Sequence, residues 1–351
     1  MHIDAFIWDG IDLESLIDSG RRLDQFGYEC VWAGEVRHDP FMQLLQIANA
    51  SSRLRIGTAI AVATARSPVV MASQAWDLQR YSGGRFTLGL GSNVRAQVVD
   101  RFSMPWSAPA PRMRDYIAAL RAIWANWNDG VPLNHQGPFF RHVAMPPNFR
   151  PPPLACGPPP IFLAAVGPAM TRVAAECCDG IHLIGFQSAA YLREVTIPAL
   201  RAARAAAGRS FEDFTVNTPV VIAEGRTDEE LEASIQATRR RVAYYLSVEA
   251  YRPMLDHHGW GDLQPEMAAL LARGEHAEMA RRIPDDVLAT YVIAGNPSQI
   301  ARGLFDRLEG LADRVSFVGA TGPVSEVARE ILAEVRAERS RRTREASIPA
   351  T

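Results

Sequence analysis

Short β-prone runs alternate with helical segments from one end of this chain to the other, and few architectures accommodate that rhythm. The runs fall at residues 3–8, 29–33, 55–63, 85–90, 161–164, 181–184, 214–223 and 314–319. After the first, Asp12 is placed to cap a helix to Phe26, with Leu13, Leu16, Ile17, Leu23 and Phe26 on one stripe and Gly27 as its stop. Pro40 and Ser67-Pro68 open the second and third helices, where a missing N–H removes no intrahelical bond. The third run, Arg-Ile-Gly-Thr-Ala-Ile-Ala-Val-Ala, is almost unbroken in small and apolar residues, as a strand covered on both faces should be. Further helical patterns occupy 111–127, 168–178, 191–207, 227–246, 297–311 and 324–339. Eight strands, each followed by a helix, predict an α/β fold, a (β/α)8 TIM barrel.

Two stretches interrupt the alternation. Residues 129–160 are rich in Pro, Gly and aromatics, with a short hairpin expected around His135 to Arg141 and stiff runs at Pro151-Pro152-Pro153 and Pro158-Pro159-Pro160. Residues 247–286 read as helical. Because the rhythm resumes after each, they are insertions after helix four and after helix seven. The chain is expected to form one barrel domain over 1–340, followed by a disordered tail, 341–351. The arginine cluster from Arg336 to Arg344 is expected to be solvated there.

The segment Ser82-Gly83-Gly84-Arg85-Phe86-Thr87-Leu88-Gly89-Leu90-Gly91-Ser92-Asn93 points to the working face. A helix stops at Gly83-Gly84, a strand follows, and it opens into a turn of small residues. Glycine at the C-terminal end of a strand allows a sharp turn and close approach of a ligand. In a barrel of this type that end carries the chemistry. The same segment also suits a tight connection with no ligand.

Composition narrows the chemistry. A net charge of −2 and scattered arginines leave no nucleic-acid footprint. No apolar run approaches the roughly 20 residues that cross a bilayer. The sequence contains no lysine, which excludes a lysine Schiff base and a P-loop. Cys30, Cys156, Cys177 and Cys178 match no zinc spacing and are expected to be buried, reduced thiols of a cytoplasmic protein. No signal peptide is visible at Met1-His2-Ile3-Asp4. No His/Asp/Glu spacing supports a metal site, and no Gly-x-Ser-x-Gly elbow supports a serine hydrolase.

Several longer segments carry a resemblance. They are residues 35–41 (Glu-Val-Arg-His-Asp-Pro-Phe), 57–68, 74–79, 82–92, 101–106 (Arg-Phe-Ser-Met-Pro-Trp) and 164–168 (Ala-Ala-Val-Gly-Pro), with Asp179-Gly180 beyond. Together they resemble the bacterial-luciferase-like flavin and deazaflavin oxidoreductases, above all the coenzyme F420-dependent branch, over nearly all of residues 3–317. The resemblance implies a flavin-type ring at the C-terminal face of the barrel. It implies a non-proline cis peptide near Ala59-Ile60 at the end of strand three, with Ala59, Ile60 and Ala61 against the ring. Gly91, Ser92, Asn93 and Gln97 would meet the ring edge or ribityl chain.

The tail phosphate would lie at Ala165, Val166, Gly167 and Pro168, where helix five begins, and at Gly185 and Phe186 beyond strand six. Independently of the resemblance, a glycine turn into a helix N-terminus suits an anion. It equally suits a close-packed turn. Glu35 and His38 end strand two on the ring's face and are the candidate proton carriers. His38 could instead join Asp39 in capping helix two. The chain departs from its relatives at Val94, where some deazaflavin dehydrogenases carry a glutamate, and at Val36, where others carry a histidine. His182 is expected in a packed layer, and His257 and His258 at the surface.

Three functions remain open at this point. The first is hydride transfer between coenzyme F420 and an apolar organic small molecule. The second is FMN-dependent monooxygenation, and the third a non-catalytic cofactor-binding barrel. Phe139, Phe140, Met145, Phe149, Tyr244, Tyr245, Tyr251 and Trp260 of the insertions and helix seven suggest apolar pocket walls. Relatives are often dimers, so a homodimer is expected.

Overall fold

A computed structural model describes residues 1–7 and 12–346. Its eight barrel strands are β1 (His2–Ile7), β2 (Cys30–Ala33), β3 (Arg55–Thr58), β4 (Phe86–Gly91), β5 (Ile161–Ala164), β6 (Gly180–His182), β7 (Thr215–Glu224) and β8 (Arg314–Val318). All neighbours are parallel, and the ring closes where His2 pairs with Arg314. The expected TIM barrel is therefore the fold. Residue 8, the end of the first expected strand, lies outside the described residues.

Around the barrel run α1 (Leu16–Phe26), α2 (Pro40–Ala50), α3 (Pro68–Tyr81), α4 (Pro109–Asp129), α5 (Pro168–Cys177), α6 (Ile197–Ala206), α7 (Asp228–Ser247), α8 (Pro297–Leu308) and α9 (Glu326–Ala346). Local chemistry sets their ends. Asp39 accepts from Phe41 N and Met42 N, Ser67 from Val70 N, and Thr227 from Glu230 N, so each start has a partner for its unpaired donors. α3 stops as the Gly-Gly pair foretells: Gly83 and Gly84 take positive φ, 66° and 88°, and Gly84 N returns to Gln79 O.

The inside of the barrel is not purely apolar. Near its floor the Arg314 guanidinium forks onto buried Asp4, both bonds 2.7 Å, and Trp32 Nε1 donates to Asp4 Oδ2 at 2.8 Å. Above them Trp32, Phe162 and His182 pack ring to ring, with centroids 4.8–5.8 Å apart.

Several expectations are corrected. The third strand is not continuous over 55–63; it breaks after Thr58 and resumes as Ala61–Val62 against Leu90 and Gly91. The sixth helix is a composite, with a π-helical turn Leu192–Thr196 leading into α6. In keeping with the short extended piece that the sequence suggests at Tyr291 to Gly295, a strand, Val292–Gly295, pairs with the end of β7 outside the ring of eight. Cys30 and Cys178 are buried, but Cys156 is exposed and Cys177 half-buried; all four are free thiols. α9 continues through Ala346 in place of a tail from 341. Several of its arginines are engaged, some with the chain's first elements and one with α8. Arg336 donates to Phe26 O, Arg339 to Met1 O, and Arg342 to Glu338, Asp306 and Glu309. Residues 347–351 lie outside the described residues.

Both insertions stand where expected. The first holds a two-stranded hairpin, His135–Gln136 with Arg141–His142, on the N-terminal half of α4. The second, from 248 to 291, is a set of short helices whose core joins Phe186, Val221 and Ala223 at the C-terminal ends of β6 and β7.

Candidate active site

The break in β3 shapes one side of the barrel mouth. The Ala59–Ile60 peptide is cis, where the resemblance placed it. Ala59 N donates to Ala33 O at 2.8 Å, and Glu35 N to Ile60 O at 3.2 Å, so the bulge is stitched to the end of β2. Val62 N, at the restart of the strand, is taken by Glu35 Oε2 at 2.7 Å. The same oxygen receives Arg66 Nη1 at 2.7 Å, and Arg66 Nη2 reaches Asp39 Oδ2 at 2.8 Å. Burial pulls the Arg66 pKa down, but the hydrogen bonds and charges of Glu35 and Asp39 outweigh it and hold the guanidinium above its ordinary value. Glu35 is thus committed to two donors and shields most of its side chain from solvent. His38, three residues on, is half-buried and carries no hydrogen bond or ion pair among the described residues. Asp39 alone caps α2, which answers the question of whether His38 shares that task.

Ala59 and Ile60 are half-buried, whereas Ala61 is fully buried behind them. Beside the break, the neighbouring β4 makes room through its glycines. A Cβ on Gly89 would lie 1.8 Å from Thr58 O and 2.5 Å from His182 Nε2; on Gly91 it would lie 2.8 Å from the Ile60 side chain. The Thr58 hydroxyl accepts from Gly89 N at 2.9 Å and donates to Gly89 O at 2.7 Å, bonds that bridge the strands just before the break. Beyond β4, Asn93 takes a left-handed φ of 58° and its Oδ1 accepts from Val94 N. Ser92 and Asn93 are half-buried at the rim. Gln97 is exposed on a π-helical turn, where its Oε1 faces Arg101. Arg101 also donates to Val36 O, which ties this loop to the end of β2.

Next in the ring after β4, β5 leads into α5. Ala165 is buried and Val166 half-buried, whereas Gly167 and Pro168 are exposed. Nothing lies within 4 Å of where a Gly167 Cβ would stand. The first N–H groups of α5, at Ala169 and Met170, have no acceptor within the helix. Gly185 is buried against Pro219. Phe186 is 0% exposed and stacks on Tyr291 at 4.0 Å, so the second insertion covers its side chain. The rim residues Phe6, Ala59, Ala164, Pro219 and Val318 are all half-buried and apolar.

The insertions also behave differently from expectation. Phe139 and Phe140 are held through their main-chain N–H groups by Asp115 Oδ2, at 2.7 and 2.9 Å, and Phe140 packs on Tyr116; both partners are buried residues of α4. His258 is half-buried. It bonds Ser188 Oγ at 2.7 Å and stacks on Trp260, and His257 pairs with Glu194 at 3.2 Å. His182 is in its packed layer; Asn217 Nδ2 donates to its Nδ1, and burial lowers its pKa to about 3. Arg66 was missed in the sequence, although it is the only charged residue between Arg55 and Asp77. Among the described residues no cluster of three potential ligands suits a metal ion, and no helix is long and apolar enough to cross a membrane.

A closed parallel barrel with its open, glycine-shaped face at the strand C-termini defines a (β/α)8 enzyme scaffold. The family model described as luciferase-like monooxygenase matches residues 2–314. The chain belongs to that family. An uncharacterised protein of Mycobacterium tuberculosis is 45% identical over 298 residues, covering 85% of this chain and 88% of that protein. Among solved structures, the coenzyme F420-dependent tetrahydromethanopterin reductase from Methanopyrus kandleri superposes with a TM-score of 0.78 at 18% identity, covering 96% and 99% of the two chains. The EDTA monooxygenase from Chelativorans sp. BNC1 superposes with a TM-score of 0.70 at 18% identity, covering 97% and 94%. Other relatives and structural neighbours are named as oxidoreductases and monooxygenases, which supports an enzyme of that broad kind.

Proposed function

We propose that the protein is an oxidoreductase that moves a hydride between coenzyme F420 and an apolar organic substrate. The observation that carries this reading is the mouth itself. One wall is the half-exposed Ala59–Ile60 bulge, the rim is apolar, and the exposed start of α5 faces no competing side chain at Gly167. These residues fit a flat ring with an anionic tail. When bound, the deazaflavin supplies the hydride chemistry, and the protein orients ring and substrate.

Each residue then has a part. Ala59 and Ile60 present an apolar face and exclude water. Ser92 and Asn93 offer polar groups at the rim. Ala169 and Met170 N–H, with Gly167, Pro168 and Val166 around them, receive the phosphate. The buried Ala61, Gly91, Ala165 and Gly185 shape the backbone behind these surfaces. His38 holds or releases a proton at an imidazole nitrogen, for which it is free. Glu35 acts by fixing the bulge and Arg66, so the proton task falls to His38 alone.

The deciding experiment titrates the purified protein with coenzyme F420 and, separately, with FMN, by fluorescence and calorimetry. Preference for the deazaflavin supports the reading. Preference for FMN replaces it with flavin monooxygenation, and binding of neither removes the redox reading. Once a substrate is found, His38→Ala should cut kcat by about 100-fold or more while cofactor affinity stays unchanged. Equal kcat in the variant would strip His38 of its role.

A homodimer is part of the proposal. Met42 (59% exposed) and Leu45 on α2, with Val70 and Tyr81 on α3, form an uncovered apolar surface, and Tyr81 OH donates to Asn49 Oδ1 between the two helices.

A further inference from the structure

A cavity of about 460 Å³ lies outside the barrel, between α7, the helix Asp285–Tyr291, the strand Val292–Gly295 and α8. That volume falls within the range of small-ligand sites. Ile235, Leu288, Val292 and Ala294 give it apolar walls. Two arginines enter it, and they differ. Arg239 is satisfied, because it pairs with Asp285 and donates to Ile283 O. Arg307 is not: its guanidinium makes one long bond, 3.4 Å, to Thr290 O, and no carboxylate pairs with it among the described residues. A half-buried cation without a counter-charge carries an uncompensated desolvation cost, and burial accordingly lowers the Arg307 pKa.

We propose that this cavity binds a small monocarboxylate with a short apolar body, its carboxylate on Arg307 and its chain against Ile235, Leu288 and Val292. The guanidinium fork matches a carboxylate, and the apolar walls match an alkyl or branched chain. Glu232 and Asp285, which also line the cavity, disfavour a second negative charge, so a monocarboxylate is favoured over phosphates and dicarboxylates. The site is independent of the barrel mouth and of the cofactor assigned there.

The test is calorimetric titration of the full chain with sodium hexanoate, with 1-hexanol as the uncharged control. Hexanoate should bind once per chain and more tightly than hexanol. Arg307→Gln should weaken it by about tenfold or more. Ala294→Trp, at an exposed position that tolerates bulk, should fill the cavity and weaken it as well. Cofactor affinity should be the same in all three proteins, which separates this site from the mouth. No hexanoate binding at millimolar concentration overturns the proposal. So does equal binding of hexanol, or binding of hexanoate that survives both substitutions.

Discussion

A carboxylate at the end of β2 holds the break in β3 together, and its value lies in what it keeps paired. Removing Glu35 strands the Val62 N–H and leaves Arg66 with Asp39 alone. Breaking a mostly buried pair from one side is costly, so Glu35→Ala should lower unfolding free energy by about 3 kcal/mol, read from denaturant titration. His182 makes the second residue-scale prediction. Its pKa drops from 6.5 to about 3 on folding because burial penalises the charged ring. Between those values the unfolded chain binds a proton that the folded one does not. The contribution is therefore complete above pH 6.5 and is lost as pH falls toward 3, with a slope of about 1.4 kcal/mol per pH unit. Stability of wild type and His182→Gln should diverge in slope between pH 6.5 and 5, above the range where most carboxylates titrate. Parallel curves would mean that the ring is solvated. The sequence made His182 and the Ala59-Ile60 bulge legible, the first by its place in an apolar strand and the second by family likeness. It concealed Glu35's task, because a carboxylate's partners depend on where a bulge throws a backbone N–H, and periodicity carries no such information.

The elements were more legible than their joints. Proline, glycine and capping residues announced most helix starts and stops, and these signals are local. The broken third strand, the π-helical entry to α6 and the run of α9 through Ala346 depend on contacts between distant segments. The arginines of α9 read as a solvated run only while their acceptors, Phe26 O and Met1 O, are unknown. Phe186 was similarly opaque, since its burial is decided by Tyr291 from the far side of the second insertion. In the first insertion, one buried carboxylate organises the hairpin: Asp115 takes the N–H groups of Phe139 and Phe140, and His135 Nε2 at 2.9 Å. Asp115→Ala should release the hairpin while the barrel persists. Limited proteolysis should then cut within 129–160 at protease levels that leave the wild type intact. Unchanged resistance would show that Phe140 packing on Tyr116 suffices.

For the whole molecule, the eightfold alternation was enough to foresee the barrel, because few other arrangements bury eight parallel strands. The proposed pairing of copies through α2 and α3 is testable at the same scale. Wild type should elute with the mass of two chains in size exclusion with light scattering. Met42→Asp with Leu45→Arg should elute as one chain without loss of secondary structure. A wild-type mass of one chain would remove the dimer.

The seam between β1 and β8 has a consequence for how the protein is made. His2 and Arg314 are neighbours in the ring but far apart along the chain. At about 5–20 residues added per second, the first strand leaves the ribosome on the order of tens of seconds before its partner exists. Throughout that interval one edge of β1 offers unpaired main-chain groups, so a nascent chain halted before residue 314 should engage chaperones that the released protein does not.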